Sequence, residues 1–174
     1  RGIVKKTPLQ ESLNYSQKYN SKIFFKREDL QDVKSFKIRG AYTKILSVEK
    51  TIAQNGLVCA SAGNHAQGFA VSCSLLDYNG TVFMPHSTPS LKVSLVKKFG
   101  GKNIKIKLVG ENFSKAYKAA MDYCRRNRKT FIHPFDDIKV IEGQATLFLE
   151  VIEQIKNPID YIFIPIGEIG RAHV

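Results

Sequence analysis

Residues 57–84 read LVCASAGNHAQGFAVSCSLLDYNGTVFM, and this stretch decides the fold. It opens with a short apolar run, continues through small polar residues into a helical spacing of apolar residues, and closes with a second apolar run at 81–84. A helix that joins two buried strands is the unit from which parallel sheets are built. We therefore expect a parallel strand–helix–strand unit here.

The same alternation continues on both sides of this stretch. We predict strands at 22–26, 57–60, 81–84, 104–109, 131–132 and 161–164, and helices at 11–20, 37–54, 64–76, 89–99, 112–127 and 139–156, with Gly56 as a helix stop. This order predicts an α/β fold with parallel sheets flanked by helices. Ligands of such sheets bind beyond the carboxyl ends of the strands, which places the loops after residues 25, 60, 84, 132 and 164 near any site.

The composition is that of a globular protein. The chain has 174 residues, of which 43% are hydrophobic and 24% are charged, which excludes a disordered chain. No apolar run approaches the roughly 18 residues that a membrane span needs. The three cysteines lack a C-x-x-C spacing, so we expect reduced, mostly buried thiols in a cytoplasmic protein. The chain begins with Arg1 rather than Met, so we expect it to start inside a longer reading frame.

The net charge of +12 raises an alternative from a different functional class, a basic nucleic-acid-binding module. Basic residues are densest at 92–107 and at 125–129. Neither patch interleaves aromatic residues for base stacking, and no zinc-finger or RNP-type motif is present. We therefore expect solvated helix surfaces and no nucleic-acid partner.

The first loop with chemical character is Ser35-Phe-Lys-Ile-Arg-Gly-Ala41, in which Lys37 stands between two apolar residues where a helix should begin. The positive end of a helix dipole and partial burial both favour the neutral amine, which is the form that attacks a carbonyl. The alternative is an ordinary lysine whose stem packs on apolar surface.

The second loop, Ser61-Ala-Gly-Asn-His-Ala-Gln-Gly68, follows a buried strand and opens a helix. Small residues at a helix N-terminus favour a bound carboxylate or phosphate. The loop lacks the middle glycine of G-x-G-x-x-G and the Lys-Ser/Thr of a P-loop, so it carries no nucleotide fingerprint. The alternative is a tight turn capped by Asn64. For His65 and His133, packing or structural roles are expected, and no cluster has metal-ligand spacing.

Six short pieces together carry a family resemblance. They are Thr7-Pro-Leu9, Phe25-Lys-Arg-Glu-Asp-Leu-Gln31, Ser35-Phe-Lys-Ile-Arg-Gly-Ala41, Ser61-Ala-Gly-Asn-His-Ala-Gln-Gly68, His133-Pro-Phe-Asp-Asp137 and Glu142-Gly-Gln144. In order and spacing they resemble the fold-type II pyridoxal-phosphate enzymes, in particular the threonine ammonia-lyases. The resemblance implies deamination of L-threonine to 2-oxobutanoate and ammonia with pyridoxal 5'-phosphate as cofactor. Serine ammonia-lyases and serine racemases share the lysine loop closely and remain the alternative.

The resemblance also assigns roles to residues. It implies that Lys37 binds the cofactor covalently and acts as the catalytic base, that Phe36 lies beside the cofactor ring, and that Asn64 hydrogen-bonds the cofactor's 3′-oxygen. The residues expected to hold the substrate carboxylate through backbone N–H groups are Ser61, Ala62, Gly63, Asn64 and His65.

For the fold, the resemblance implies the tryptophan-synthase-β-like arrangement of two intertwined domains in a homo-oligomer. Residues 1–55 and 139–167 map to the large domain and residues 56–138 to the small inserted domain. We expect 168–174 to be a non-native tail, because 169–174 is what one frame of a sequencing-library adapter encodes. On that hypothesis the phosphate-binding glycine loop and the partner of the pyridine nitrogen are missing, and we expect the fragment itself to be inactive.

Overall fold

A four-stranded parallel sheet and a separate antiparallel strand pair organise residues 3–164, the part of the chain that the computed structural model describes. In chain order the elements are β1 (Leu9–Glu11), α1 (Leu13–Tyr19), β2 (Phe24–Lys26), α2 (Lys37–Ser47), α3 (Lys50–Gln54), β3 (Leu57–Ala60), α4 (Asn64–Leu75), β4 (Gly80–Met84), α5 (Ser90–Gly100), β5 (Ile104–Leu108), α6 (Phe113–Asn127), β6 (Thr130–Phe131) and α7 (Ile138–Gln154). Short 3-10 turns at Glu28–Leu30 and Gly101–Asn103 complete the set.

The parallel sheet has the strand order β5-β4-β3-β6. Leu57 of β3 pairs with Gly80 of β4 on one side and with Thr130 of β6 on the other. The pairing of β4 with β5 is parallel, as are these two. The predicted α/β class and the strand–helix–strand unit at 57–84 are therefore confirmed.

The central strands β3 and β4 are buried on both faces of the sheet, and this explains the uninterrupted apolar run of β3. Leu57 and Cys59 belong to the core cluster that includes Phe69 of α4. Val58 and Ala60 point the other way, into a cluster with residues of α6. Successive side chains of a strand alternate between faces, so a strand covered by helices on both sides needs apolar residues at every position.

The predicted helix at 37–54 is wrong in one respect, because it is two helices. Val48 adopts an extended conformation with ψ of 132° and ends α2, and α3 begins two residues later. Gly56 follows with φ of +103°, in the left-handed region where glycine is favoured, so the predicted stop is confirmed.

Two strand predictions need correction. The strand at 22–26 is β2, but it pairs antiparallel with β1, a three-residue strand that the sequence pattern did not reveal. The loop after residue 25 therefore does not lie at the edge of the parallel sheet. Residues 161–164 form no strand, and Phe163 is 93% exposed. A strand needs a hydrogen-bonded neighbour, and the described chain places none beside this segment.

Residues 165–167 and the expected tail at 168–174 lie outside the described residues. Within 3–164, no helix is long and apolar enough to cross a membrane.

Candidate functional site

Lys37 begins α2 and is 5% exposed. Its Nζ donates a hydrogen bond to the carbonyl oxygen of Pro134 at 3.3 Å and lies 5.4 Å from the centroid of the Phe36 ring. The structure therefore holds a primary amine in a buried position beside an aromatic ring.

Glycines bring two neighbouring helices into backbone contact with the start of α2. A Cβ placed on Gly68 of α4 would lie 3.0 Å from the carbonyl carbon of Lys37. A Cβ on Gly143 of α7 would lie 2.6 Å from the carbonyl oxygen of Arg39 and 2.7 Å from the Cα of Gly40. Since a larger side chain would be crowded at both positions, Gly68 and Gly143 set how closely α4 and α7 approach the first turn of α2.

The turn at 61–64 joins β3 to α4 and lies at the carboxyl end of the parallel sheet. Its first three residues are half-buried and Asn64 is exposed. Gly63, rather than Asn64, occupies the N-cap position of α4, and no side chain caps this helix. A Cβ on Gly63 would meet no atom of residues 3–164 within 4 Å, so this part of the structure leaves space beside the turn. The capping alternative for Asn64 is therefore wrong.

Two backbone N–H groups of this turn have partners inside the protein. The Ser61 N–H donates to the Phe83 carbonyl at 3.1 Å, and the Gly63 N–H donates to the Ser61 hydroxyl at 3.2 Å. The first N–H groups of an α-helix have no acceptor within the helix. Among residues 3–164, no hydrogen-bond acceptor occupies the N–H groups of Ala62, Asn64 and His65, so these three groups would be the donors to an anion at this turn.

His65 is 2% exposed, and its Nε2 lies 3.2 Å from the carbonyl oxygen of Ile132. A carbonyl oxygen only accepts hydrogen bonds, so Nε2 carries the proton and Nδ1 does not. Burial lowers the pKa of His65 to about 3, and the nearby positive charge of Lys37 acts in the same direction. This histidine is therefore neutral at physiological pH and lies close to the lysine.

His133 follows β6 and is fixed in one tautomer by the backbone. Its Nδ1 accepts hydrogen bonds from the N–H groups of Phe135 and Asp136 at 3.3 and 2.7 Å, so its proton lies on Nε2. Burial lowers the pKa of this ring as well. The ring packs edge-on against Phe135, with 4.7 Å between the ring centroids. These contacts fit the structural role predicted for His133.

A buried polar cluster that the sequence analysis missed lies next to the lysine loop. Arg39 contacts the carboxylates of Glu28 and Glu150, and Thr7 and Lys26 bind the same carboxylates. Thr7, Lys26 and Glu28 lie in the motifs quoted for the family resemblance, but the motifs alone assign no function to these three residues. Nothing in the sequence singled out Glu150.

The chemistry of this arrangement follows from the donors present. A buried primary amine can react with an aldehyde, and N–H groups at the start of a helix can bind a carboxylate. Pyridoxal phosphate carries an aldehyde on an aromatic ring, and the amine of Lys37 beside the Phe36 ring fits it. Within residues 3–164 no group of three His, Cys, Asp or Glu side chains is placed to hold a metal ion.

Curated relatives match almost the whole chain. The L-threonine dehydratase biosynthetic IlvA of Staphylococcus saprophyticus subsp. saprophyticus is 48% identical over 170 residues, and that of Bacillus subtilis is 47% identical over 167 residues. Each alignment covers 96% of this chain but only 40% of the relative. The chain thus spans about two fifths of the length of these relatives.

Solved structures agree with these relatives. The processed form of threonine deaminase isoform 2 from Solanum lycopersicum matches with a TM-score of 0.84 and 35% identity, covering 88% of this chain and 42% of that one. Maize serine racemase matches with a TM-score of 0.82 and 30% identity, covering 87% and 45%. The family model for pyridoxal-phosphate dependent enzymes matches residues 1–173. The chain therefore belongs to the pyridoxal-phosphate dependent enzyme family.

Proposed function

We propose that the complete protein deaminates L-threonine to 2-oxobutanoate and ammonia with pyridoxal phosphate. The observation that carries this proposal is the buried amine of Lys37, held at the Pro134 carbonyl near the turn that opens α4. Identities of 48% and 47% to threonine dehydratases support the choice of reaction. The proposal concerns the complete protein because the chain spans 40% of those relatives.

Three residues would hold the cofactor in this chain. The amine of Lys37 would attach to it, the ring of Phe36 would lie beside it, and the exposed amide of Asn64 would reach its 3′-oxygen. When bound, pyridoxal phosphate supplies an electron sink for the charge left on the substrate's α-carbon. The amine of Lys37 would take the α-proton of the substrate as a general base.

The substrate carboxylate is assigned to the turn at 61–65. The N–H groups of Ala62, Asn64 and His65 lie at the positive end of the α4 dipole, where an anion is stabilised. Ser61 and Gly63 contribute by shaping the turn, since their own N–H groups have acceptors within the protein. Because the buried His65 ring is neutral, it adds no positive charge at this turn, and the carboxylate would be held by backbone N–H groups.

Serine is the second candidate substrate, by ammonia elimination or racemisation. The observation in its favour is the match to maize serine racemase, whose TM-score of 0.82 is close to that of the threonine deaminase. Parallel assays with L-threonine, L-serine and D-serine separate the candidates. Release of 2-oxobutanoate from L-threonine supports the proposal, whereas release of pyruvate from serine or its racemisation alone supports the alternative.

Lys37→Ala in the complete protein is the direct test. We expect loss of 2-oxobutanoate release and loss of the mass that borohydride reduction adds to the wild-type protein with pyridoxal phosphate. Lys118→Ala, at an exposed lysine of α6, is the control and should retain both. An active Lys37→Ala variant would contradict the proposal. Salt-sensitive binding to nucleic acid with neither product nor adduct would instead support a basic binding module.

We also propose the domain division 1–55, 56–138 and 139–167 for the complete protein. All four strands of the parallel sheet fall between Leu57 and Phe131, which supports 56–138 as one folding unit. Limited proteolysis of the complete protein should cut near residues 55 and 138 before it cuts within this unit.

The family resemblance supports assembly of the complete protein as a homo-oligomer, and analytical ultracentrifugation tests it.

Cys59, Cys73 and Cys124 are free and buried, which supports a reducing compartment, the cytoplasm.

A further inference from the structure

We propose that Arg39 is a positioning residue, which holds the first turn of α2 so that Lys37 reaches its place at the Pro134 carbonyl. This inference rests on the proposed function, because it concerns the amine to which that function assigns the chemistry. It gives a role to residues that the function leaves unused, namely Arg39, Glu28 and Glu150.

The guanidinium of Arg39 is buried and bridges two carboxylates from distant parts of the chain. Its Nε and Nη2 each donate to Glu28 at 2.8 Å, and its Nη1 and Nη2 donate to Glu150 at 2.8 and 3.0 Å. Glu28 lies in the 3-10 turn after β2, whereas Glu150 lies on α7. Arg39 is only 2% exposed, so water does not compete for these bonds.

The two carboxylates are themselves held by other side chains. The Thr7 hydroxyl donates to Glu28 at 2.5 Å, and the Lys26 ammonium donates to Glu150 at 2.6 Å. Two positive and two negative groups therefore balance within the cluster. Burial alone would lower the pKa of Arg39, but the hydrogen bonds to Glu28 and Glu150 outweigh it and raise the pKa above its usual value. The guanidinium remains charged and anchored.

Helix geometry links this anchor to the lysine. Each residue turns an α-helix by about 100°, so side chains two positions apart leave the axis in nearly opposite directions. Lys37 and Arg39 therefore point to opposite sides of α2. Fixing Arg39 to Glu28 and Glu150 fixes the rotation of the first turn, and that rotation determines where the Lys37 ammonium lies.

Arginine suits this role better than lysine. A guanidinium presents donors in a rigid planar fork that pairs with two carboxylates at once, whereas an ammonium is a point charge on a flexible stem. Arg39→Lys should keep the charge of the cluster but release the rotation of the helix. The two substitutions Arg39→Lys and Arg39→Met thereby separate charge from geometry.

The experiment measures how Lys37 itself reacts, rather than turnover alone. The complete protein and its variants are incubated with pyridoxal phosphate and reduced with cyanoborohydride over a range of pH. Peptide mass mapping gives the rate of attachment at Lys37, and thermal unfolding is measured on the same samples. Arg126→Met, at an exposed arginine of α6, is the control and should match the wild type.

We expect attachment at Lys37 to slow at least tenfold in Arg39→Lys at temperatures where that variant is fully folded, with a shifted pH midpoint. Arg39→Met should slow the attachment at Lys37 further. If Arg39→Met does not fold, Glu150→Gln is used in its place, with a smaller expected decrease in the attachment rate. Wild-type attachment rates and pH midpoints in folded Arg39→Lys would overturn the inference, whatever its melting temperature. Failure of the wild type to attach at Lys37 would instead refute the proposed function, and this inference with it.

Discussion

Lys37 and His65 donate hydrogen bonds to the same short segment, because Lys37 Nζ contacts the Pro134 carbonyl and His65 Nε2 contacts the Ile132 carbonyl. Lys37 and His65 lie in the first turns of two different helices, α2 and α4. The segment that accepts both hydrogen bonds follows the edge strand β6. The backbone after β6 thus fixes the amine of Lys37 and the start of α4 relative to each other. The conformation of this segment is held by His133, whose Nδ1 accepts hydrogen bonds from two backbone N–H groups.

The buried state of His65 predicts a specific acid sensitivity. Its pKa in the folded protein is about 3, below its usual value of 6.5, so between these pH values only the unfolded chain takes up the proton. The free energy of unfolding should therefore fall as the pH is lowered below 6.5, by up to about 1.4 kcal/mol per pH unit. Urea unfolding of the wild type and of His65→Asn between pH 7 and 4.5 measures this change in the free energy of unfolding.

His65→Asn should be less stable at pH 7, by about 1–3 kcal/mol, since the Ile132 carbonyl loses its donor. Its free energy of unfolding should change less between pH 6.5 and 4.5, because the titrating group is gone. His86→Asn, at an exposed histidine, is the matched control and should keep the wild-type slope. Equal slopes in His65→Asn and the wild type would contradict the prediction.

The glycine contacts around α2 predict an order of destabilisation. Gly143→Ala places a Cβ 2.6 Å from a backbone oxygen, whereas Gly68→Ala places one 3.0 Å from its nearest backbone atoms. Overpacking of this kind costs about 1–3 kcal/mol, and the shorter contact should cost more. We expect the melting temperature to fall in the order wild type, Gly68→Ala, Gly143→Ala.

Circular dichroism during heating checks this order. Ser74→Ala, at an exposed position of α4, introduces the same residue without a close contact and should melt with the wild type. A Gly143→Ala variant as stable as the wild type would show that α2 and α7 separate at no cost.

Asp137 predicts a cap effect at the start of α7. Its carboxylate accepts from the N–H of Lys139 at 2.8 Å and forms an ion pair with Lys44 of α2 at 2.7 Å. Burial alone would raise the pKa of Asp137, but the hydrogen bonds from Lys44 and Lys139 outweigh it and lower the pKa. Its contribution to stability is therefore present above its usual value of 3.8 and lost as the pH falls below it.

Asp137→Ala should lose about 1–2 kcal/mol at pH 7, as helix caps do. Asp137→Asn keeps an acceptor for the cap but not the ion pair with Lys44. Its free energy of unfolding should therefore fall by less than that of Asp137→Ala. Asp136→Asn, at the exposed neighbour, should unfold like the wild type in guanidinium titrations. Equal stability of Asp137→Ala and Asp136→Asn would rule out the cap.

The parts of the fold that could be predicted from the sequence are those in which local pattern and tertiary packing agree. β3 and β4 are short apolar runs beside glycine or small polar residues, and burial on both faces requires that pattern. The break at Val48 could not be predicted, because the apolar spacing continues through it and only packing decides where α2 ends. β1 is too short to show a period.

The candidate site divides in the same way. Lys37 and the turn at 61–65 stand out because their residue types are unusual where a helix begins. The acceptors of those groups, Pro134 and Ile132, are backbone carbonyls, which leave no mark in a sequence. Arg39 and Glu150 are 111 positions apart, so their pairing depends on how α2 crosses α7. Only a three-dimensional arrangement reveals that contact.

Cys59, Cys73 and Cys124 are buried, so the reactivity of their thiols can report on unfolding of the chain. Burial raises the pKa of all three thiols, so in the native state they are neither accessible nor ionised. A thiol-specific dye would find no target until the sheet opens, and its signal would follow global unfolding rather than loop motion. A single cysteine engineered onto the outside could then carry a fluorophore without competition from the native ones.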